Sequence, residues 1–460
     1  MTLAFRRMVR LLAGAAALTA GSALPADDET GVEIKALREQ IRVLDARLRE
    51  LEQKQQRDEQ AAAATAKAAP RVTVSEKGFT LASADGTSTV RIGGLVQLDS
   101  RLFFGDGGGI TNNSFVLRRA RLISEGTLGG IYSFQIIPEL GGSTVSLLDA
   151  NVTVAPTSAV QVKFGRFKVP VGLELLQSDT ATFFVERSLA TNLVPNRDLG
   201  VQVGGTVGAG SIAYALGVFN GVPDAGNTSN ADFDNEKDGV ARVFVQPFKN
   251  DAESPWRGLG LGVAGSLGRQ KGAAAVTAGY KTDGQQTFFR YNSTVVGDGR
   301  VWRISPQAYY YRGPFGALGE YAASTVNLRP SASGAKVALQ HEAWQVATGY
   351  VLTGEDASFA NLAPRHPFNW ADGSLGAWQV VARYSRLKLD DSTFPLFAAP
   401  ATNADGAAAV GVGVNWYLSG TVRSSLDYFQ THFTNPVPSS SVQILRQDEK
   451  ALISRFQLSF

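Results

Sequence analysis

Seven cationic residues, Arg91, Arg101, Lys163, Arg242, Arg303, Arg383 and Arg423, fall on one common face of segments whose polar and apolar side chains alternate. A guanidinium is weakly hydrated and offers several donors in a planar fork. A set of them lining a narrow polar tube can therefore replace the water shell of an anion. Acids on the same faces, among them Asp99, Glu125 and Asp427, allow a plainer outcome in which the cations pair with them and fill an interior. Either way the chemistry is binding, not bond-breaking. The chain has no cysteine, which removes disulfides, thiol catalysis and thiolate metal sites together. Its three histidines, His341, His366 and His432, stand in no catalytic motif. We therefore expect no enzyme, no cofactor and no metal.

Such alternation puts successive side chains on opposite faces of a strand. From about residue 88 it recurs in sixteen candidate strands: 88–105, 113–128, 131–140, 145–156, 159–168, 199–207, 211–220, 239–248, 259–268, 301–313, 316–326, 341–353, 376–387, 407–418, 421–433 and 451–460. Connections after most even-numbered strands are tiny, such as 129–130, 313–314 and 419–420, whereas those after odd-numbered strands include 169–198, 221–238 and 269–300. Segments 249–258 and 354–375 depart from this rule. Short turns on one side, long loops on the other and an even strand number predict an all-β fold: a 16-stranded antiparallel transmembrane β-barrel with both ends on the periplasmic side. In the strand near 410, Val410, Val412, Val414, Trp416 and Leu418 are expected to face lipid, and Gly413, Asn415 and Tyr417 the lumen. Trp344, Tyr350, Trp378, Tyr384 and Trp416 would supply the interfacial aromatic girdles.

Composition agrees. Hydrophobic content of 44% and a mean hydropathy of −0.05 look soluble, yet a barrel hides in this way because only alternate residues meet lipid. Residues 1–26 carry Arg6, Arg7 and Arg10, a short apolar run and small residues near Ala23 and Ala26, so they read as a cleaved signal peptide. That segment holds three arginines and no acid, so the 44 basic residues fall to 41, level with the 41 acids. Nothing suggests nucleic-acid binding. Residues 27–60 carry a heptad seam, Ile34, Leu37, Ile41, Leu44, Leu48 and Leu51, and predict a periplasmic coiled coil. Isoleucine at a with leucine at d favours a dimer, but the stretch RLRELE resembles a parallel-trimer signature. Residues 61–87 are expected to be a linker, and 88–460 the barrel.

Several stretches, in order, resemble the phosphate-selective porin family, the porin O and P group: RIGGLVQLD, VLRRARLISEGTLGG, LLDANV, GRFKVPVGLELLQSD, FFVERSLATNLVPNRDLGVQV, YKTDGQQTFFRY, AYYYRGPFG, WQVATGYVLTGEDASF and GVNWYL. The resemblance implies a homotrimeric outer-membrane porin whose third loop folds into the barrel. The 30-residue connection from Val169 to Asp198 is long enough for that role. It also implies that Arg118, Arg119, Asp149 and Arg187 form the anion-binding constriction. Adjacent arginines on a regular strand face opposite ways, so both reach the solute only at a bulge or near the loop. Leu95 and Leu175 stand where relatives often carry arginine or lysine, which predicts retained anion preference and weak phosphate binding. Lys168 and the fifth-loop set Arg269, Lys271, Lys281 and Arg290 are the residues that would rebuild a stronger site. Expected partners are small anions such as phosphate, outer-membrane lipid and lipopolysaccharide, and the barrel-assembly machinery, which reads the terminal Phe460. A general diffusion porin with little charge preference, and a coiled-coil envelope tether on a barrel anchor, are the alternatives.

Overall fold

The computed structural model describes residues 28–76, 78–104, 112–228, 231–277, 279–436 and 447–460. The expected signal peptide therefore lies outside the described residues. The chain divides into two units, residues 1–69 and 70–460.

Among the described residues the first unit is one 41-residue helix, Asp28–Ala68. Its seam residues, Ile34, Leu37, Ile41, Leu44, Leu48 and Leu51, are between 52% and 64% exposed in one chain. An apolar stripe of that kind has no core of its own to bury in. The helix runs past the seam into the alanine-rich stretch because alanine has the highest helix propensity, and Pro70 stops it. The segment 61–87 is thus not a plain linker: after the helix end it forms a hairpin, Arg71–Ser75 with Gly78–Ala82. The alternation is there, Val72 with Val74 and Phe79 with Leu81, but each run is only five residues long.

The second unit is a closed barrel of sixteen antiparallel strands. In order they are Thr89–Phe104, Ser114–Leu128, Tyr132–Glu139, Ser146–Val154, Gln161–Lys168, Arg197–Val207, Ile212–Phe219, Asp238–Val245, Leu259–Gly272, Val296–Arg312, Phe315–Arg329, Val337–Val351, Ala377–Lys388, Gly406–Tyr417, Val422–Thr434 and Glu449–Ser459. Closure comes from the last strand pairing with the first, Ser459 opposite Leu95 through Lys450 opposite Phe104. Below that seam the hairpin strand Gly78–Ala82 takes over the same edge, pairing with Thr89–Ile92. Phe460 extends the seam by exchanging backbone hydrogen bonds with Gly94 at 2.8 and 3.0 Å. A Cβ at Gly94 would come within 2.7 Å of the Phe460 ring, so the glycine is what lets that ring lie against the first strand.

Faces alternate as a barrel demands. In the fourteenth strand Val410 and Val412 point outward while Asn415 and Tyr417 are buried inside. In the last, Phe456, Leu458 and Phe460 are outside, and Ile453, Arg455 and Gln457 inside. Trp378 stacks on Trp416 at 5.1 Å, and Trp344 meets Tyr384 at 5.2 Å. The largest cluster of buried apolar side chains lies where long loops turn into the barrel: Leu189, Leu193 and Val194 of the third loop pack with Phe288 and Phe289 of the fifth and Phe397 of the seventh.

Candidate functional site

The third loop, between the strands ending at Lys168 and starting at Arg197, lies inside the barrel. A backbone placed there loses water, so its donors and acceptors need partners from the wall. They have them. Glu320 accepts from the Leu173 and Glu174 amides at 2.7 and 3.2 Å, and Asp427 accepts from the Val185 amide at 2.7 Å. Asn415 donates to the Phe183 carbonyl at 2.8 Å and Arg423 to that of Thr182 at 3.0 Å. Arg383 ties the loop twice, through the Glu174 carboxylate at 3.2 Å and the Glu186 carbonyl at 3.0 Å, and also meets Asp283 of the fifth loop. Phe183, Phe184 and Val185 complete the attachment by packing on Val381, Phe429 and Ile453.

Two acids of this loop each gather three arginines. Glu186 takes a bidentate pair from Arg118, at 2.6 and 3.0 Å, together with Arg101 at 3.0 Å and Arg455 at 3.1 Å. Asp179 meets Arg187 at 2.6 Å, Arg119 at 3.5 Å and Arg121. Arg101 and Arg455 also share Asp99, at 2.9 and 2.6 Å. Both members of the Arg118–Arg119 pair thus face the loop, and the register explains how. Gln97 opposes Arg119 while Leu98 opposes Leu117, so Arg118 is the unopposed residue of a β-bulge. One extra residue on one strand turns what would be an outward side chain inward. A second register shift separates Ile137 opposite Asp149 from Pro138 opposite Leu147.

Asp149 does not touch the paired arginines. It holds Arg197 in a bidentate contact of 3.0 to 3.2 Å. Arg187 also donates to the Glu174 and Gln177 carbonyls, each at 2.9 Å, so part of its fork stiffens the loop. The seven wall cations all point inward, with different surroundings. Arg91 pairs with Glu125 at 2.6 Å, Arg101 with Asp99 and Glu186, and Arg303 with Asp224 at 2.6 Å and Asp238 at 3.4 Å. Arg303, Arg383 and Arg423 are buried among loop atoms and do not border open lumen. Segments of the third, fourth, fifth and seventh loops occupy space that a tube of strands alone would leave to water. Lys163 and Arg242 do border open space, 5.2 Å over Phe167 and 4.8 Å over Phe244 respectively.

Two cavities flank the loop. One, of about 560 Å³ on the short-turn side, is lined by Arg91, Lys163, Lys168 and Arg242 and also by Leu95. The other, of about 480 Å³ on the long-loop side, is lined by Arg118, Arg119, Arg187 and Lys281 and also by Leu175. Both leucines thus border the path. Asp179, Glu186, Arg121, Arg197 and Arg455 are the site residues that sequence reasoning passed over. Arg121 follows Arg119 at a spacing of two and Arg455 shares a face with Gln457, so alternation carried a signal for both. Nothing local marks Asp179 or Glu186 as arginine hubs.

The sequence profile of the family described as phosphate-selective porin O and P matches residues 90–460. Porin O of Pseudomonas aeruginosa is 26% identical over 392 residues, 76% of this chain and 84% of that protein. Among solved structures, the outer membrane channel DcaP of Acinetobacter baumannii is similar with a TM-score of 0.53 at 12% identity, over 81% of this chain and 97% of that one. OmpT of Vibrio cholerae in its trimer form has a TM-score of 0.51 at 12% identity, over 81% of this chain and 100% of that one. At such identities the structural likeness bears on the fold alone. Since the family profile spans the whole barrel, the chain belongs to the phosphate-selective porins O and P and is an outer-membrane porin.

Proposed function

We propose that the protein is a homotrimeric, anion-preferring channel for passive uptake of small anions, and that it binds phosphate only weakly. One observation carries this. Lys163, Lys168 and Arg242 line the cavity on the short-turn side, and among the described residues none of the three has a carboxylate within ion-pair distance. The acids that border the same cavity, Glu125, Asp149 and Asp179, stand as the ion-pair partners of Arg91, of Arg197 and of Arg119, Arg121 and Arg187, while Glu186 and Asp99 hold Arg118, Arg101 and Arg455. Weak phosphate binding follows from Leu95 and Leu175, which offer an oxyanion no donor where they border the two cavities. Each missing charge-assisted hydrogen bond is worth roughly 1.5–3 kcal/mol.

The exposed seam of the N-terminal helix supports trimer assembly, with the helix in the periplasm after removal of residues 1–26. The outward Phe460 at the closing seam fits a terminal signal read by the assembly machinery. Reversal potentials across a planar bilayer in a potassium chloride gradient test the reading. We expect chloride preference, with phosphate a poor blocker of the current. No charge preference would make this a general diffusion porin, no current an anchored tether, and micromolar phosphate block a site rebuilt by other cations.

A further inference from the structure

We propose that the solutes this pore holds best are small organic anions with an apolar body, such as short-chain or aromatic monocarboxylates, ahead of bare inorganic anions. The inference rests on the anion-channel reading above and specifies the other half of the solute.

The cavity of about 560 Å³ is not uniformly polar. Leu95, Ile123 and Ile137 come from the first, second and third strands, and Leu176 comes from the third loop. These positions break the alternation that puts polar residues in the lumen. Ile123 shares its face with Arg121 and Glu125, and Ile137 shares its face with Gln135 and Glu139. Ile123, Ile137 and Leu176 thus make one partly exposed apolar strip, backed by the buried Leu95, where lining a tube for hydrated ions would call for polar groups. The same cavity is bordered by Lys163, Lys168 and Arg242, from the fifth and eighth strands, and by Glu125, Asp149 and Asp179, each of which is held by an arginine.

A strip beside a set of cations is the arrangement that an amphipathic anion can use in full. Its carboxylate meets the ammonium and guanidinium groups while its hydrocarbon leaves water against the isoleucines and leucines. A hydrated inorganic anion gains nothing from the strip. The volume lies within the range of small-molecule sites, in which an apolar lining with a few placed polar groups is the rule.

The test uses the full chain in planar bilayers and measures the block of chloride current by acetate, butyrate and hexanoate, all of single charge, with neutral hexanamide as control. Complete burial of a methylene is worth about fourfold in affinity, so partial burial against the strip should tighten the block about twofold for each one added. Hexanoate is then expected to bind roughly fifteenfold more tightly than acetate. Hexanamide should block far less, and Ile123→Thr with Ile137→Thr should flatten the series. If that variant fails to fold, the series on the unaltered protein decides. Hexanoate blocking no better than acetate, with chloride preference intact, overturns this inference alone. Hexanamide blocking as well as hexanoate overturns the role of the cations in it. Absence of chloride preference overturns the anion reading beneath it.

Discussion

Two sets of cationic side chains face inward from the same barrel and do different work. On the strands from Val296 round to Phe104, Arg303, Arg383, Arg423 and Arg455 are at most 4% exposed, and each has a loop atom as partner. On the strands from Ser114 to Val245, Lys163, Lys168 and Arg242 are only half-buried and border an open cavity. Charge and face are alike in the two sets. What differs is what lies opposite: the third and fourth loops cover the first wall, whereas on the second the third loop engages Arg118, Arg119 and Arg121 and leaves Lys163, Lys168 and Arg242 beside open space. A charge shut between wall and loop needs polar partners, since an unpaired buried ion is costly; Arg303, Arg383 and Arg455 find carboxylates and Arg423 the Thr182 carbonyl, and the set becomes a clamp. A charge bordering water stays free to act on a passing ion. An arginine in a lumen therefore has no single meaning.

This contrast can be broken at either wall. The largest effect is expected from Arg383→Met, which leaves the buried carboxylates of Glu174 and Asp283 without their shared partner. Loss of one member of a buried pair costs about 3–5 kcal/mol. Denaturant unfolding should show that loss, and single-channel records should become noisier as the loop loosens; an unchanged midpoint would end the clamp idea. Next comes removal of charge at the constriction. A unit charge about 7 Å from the path, at a dielectric between protein and water, is worth about 1 kcal/mol, or roughly fivefold in relative permeability. Arg118→Ala with Arg119→Ala should thus lower the anion-to-cation ratio by about fivefold or more, and a ratio that does not move would exclude the bulge pair from selectivity.

Asp179→Asn sharpens the comparison from the other side. It frees Arg119, Arg121 and Arg187 from a shared acid, so the ratio should rise, by about twofold to fivefold on the same electrostatic scale. A fall would mean that loop position outweighs net charge. The smallest effect on the channel belongs to the helix. Ile41→Asp with Leu48→Asp should dissociate the N-terminal segment, seen by cross-linking, and leave the unfolding midpoint and conductance of the barrel within about 0.5 kcal/mol and error. Monodisperse monomers from the unaltered protein in mild detergent would contradict the trimer itself.

The barrel was legible residue by residue. Each candidate strand has its counterpart, with the tenth starting at Val296 instead of 301 as the widest discrepancy at a strand start. The N-terminal hairpin was not legible, because its two five-residue strands owe their order to the free edge of Thr89–Ile92 below the closing seam. That edge exists only once the barrel has closed. The bulge at Arg118 was legible as a requirement but not as a fact: two adjacent arginines cannot both face inward on a regular strand, and the register with Gln97 shows which residue is extra.

Sequence alone determined the strand number, the faces, the connection lengths and the inward direction of the wall cations, because each follows from a local period of two set by lipid on one side and a polar interior on the other. Only the tertiary structure decided which cations are clamps and which border open space. The partners that settle it, such as Arg455 with Glu186 and Arg383 with Glu174, lie 269 and 209 residues apart. No local pattern encodes a pairing across the lumen. It comes into being when the sheet closes and the third loop, folded inside, exchanges the water on its backbone for side chains of the facing wall.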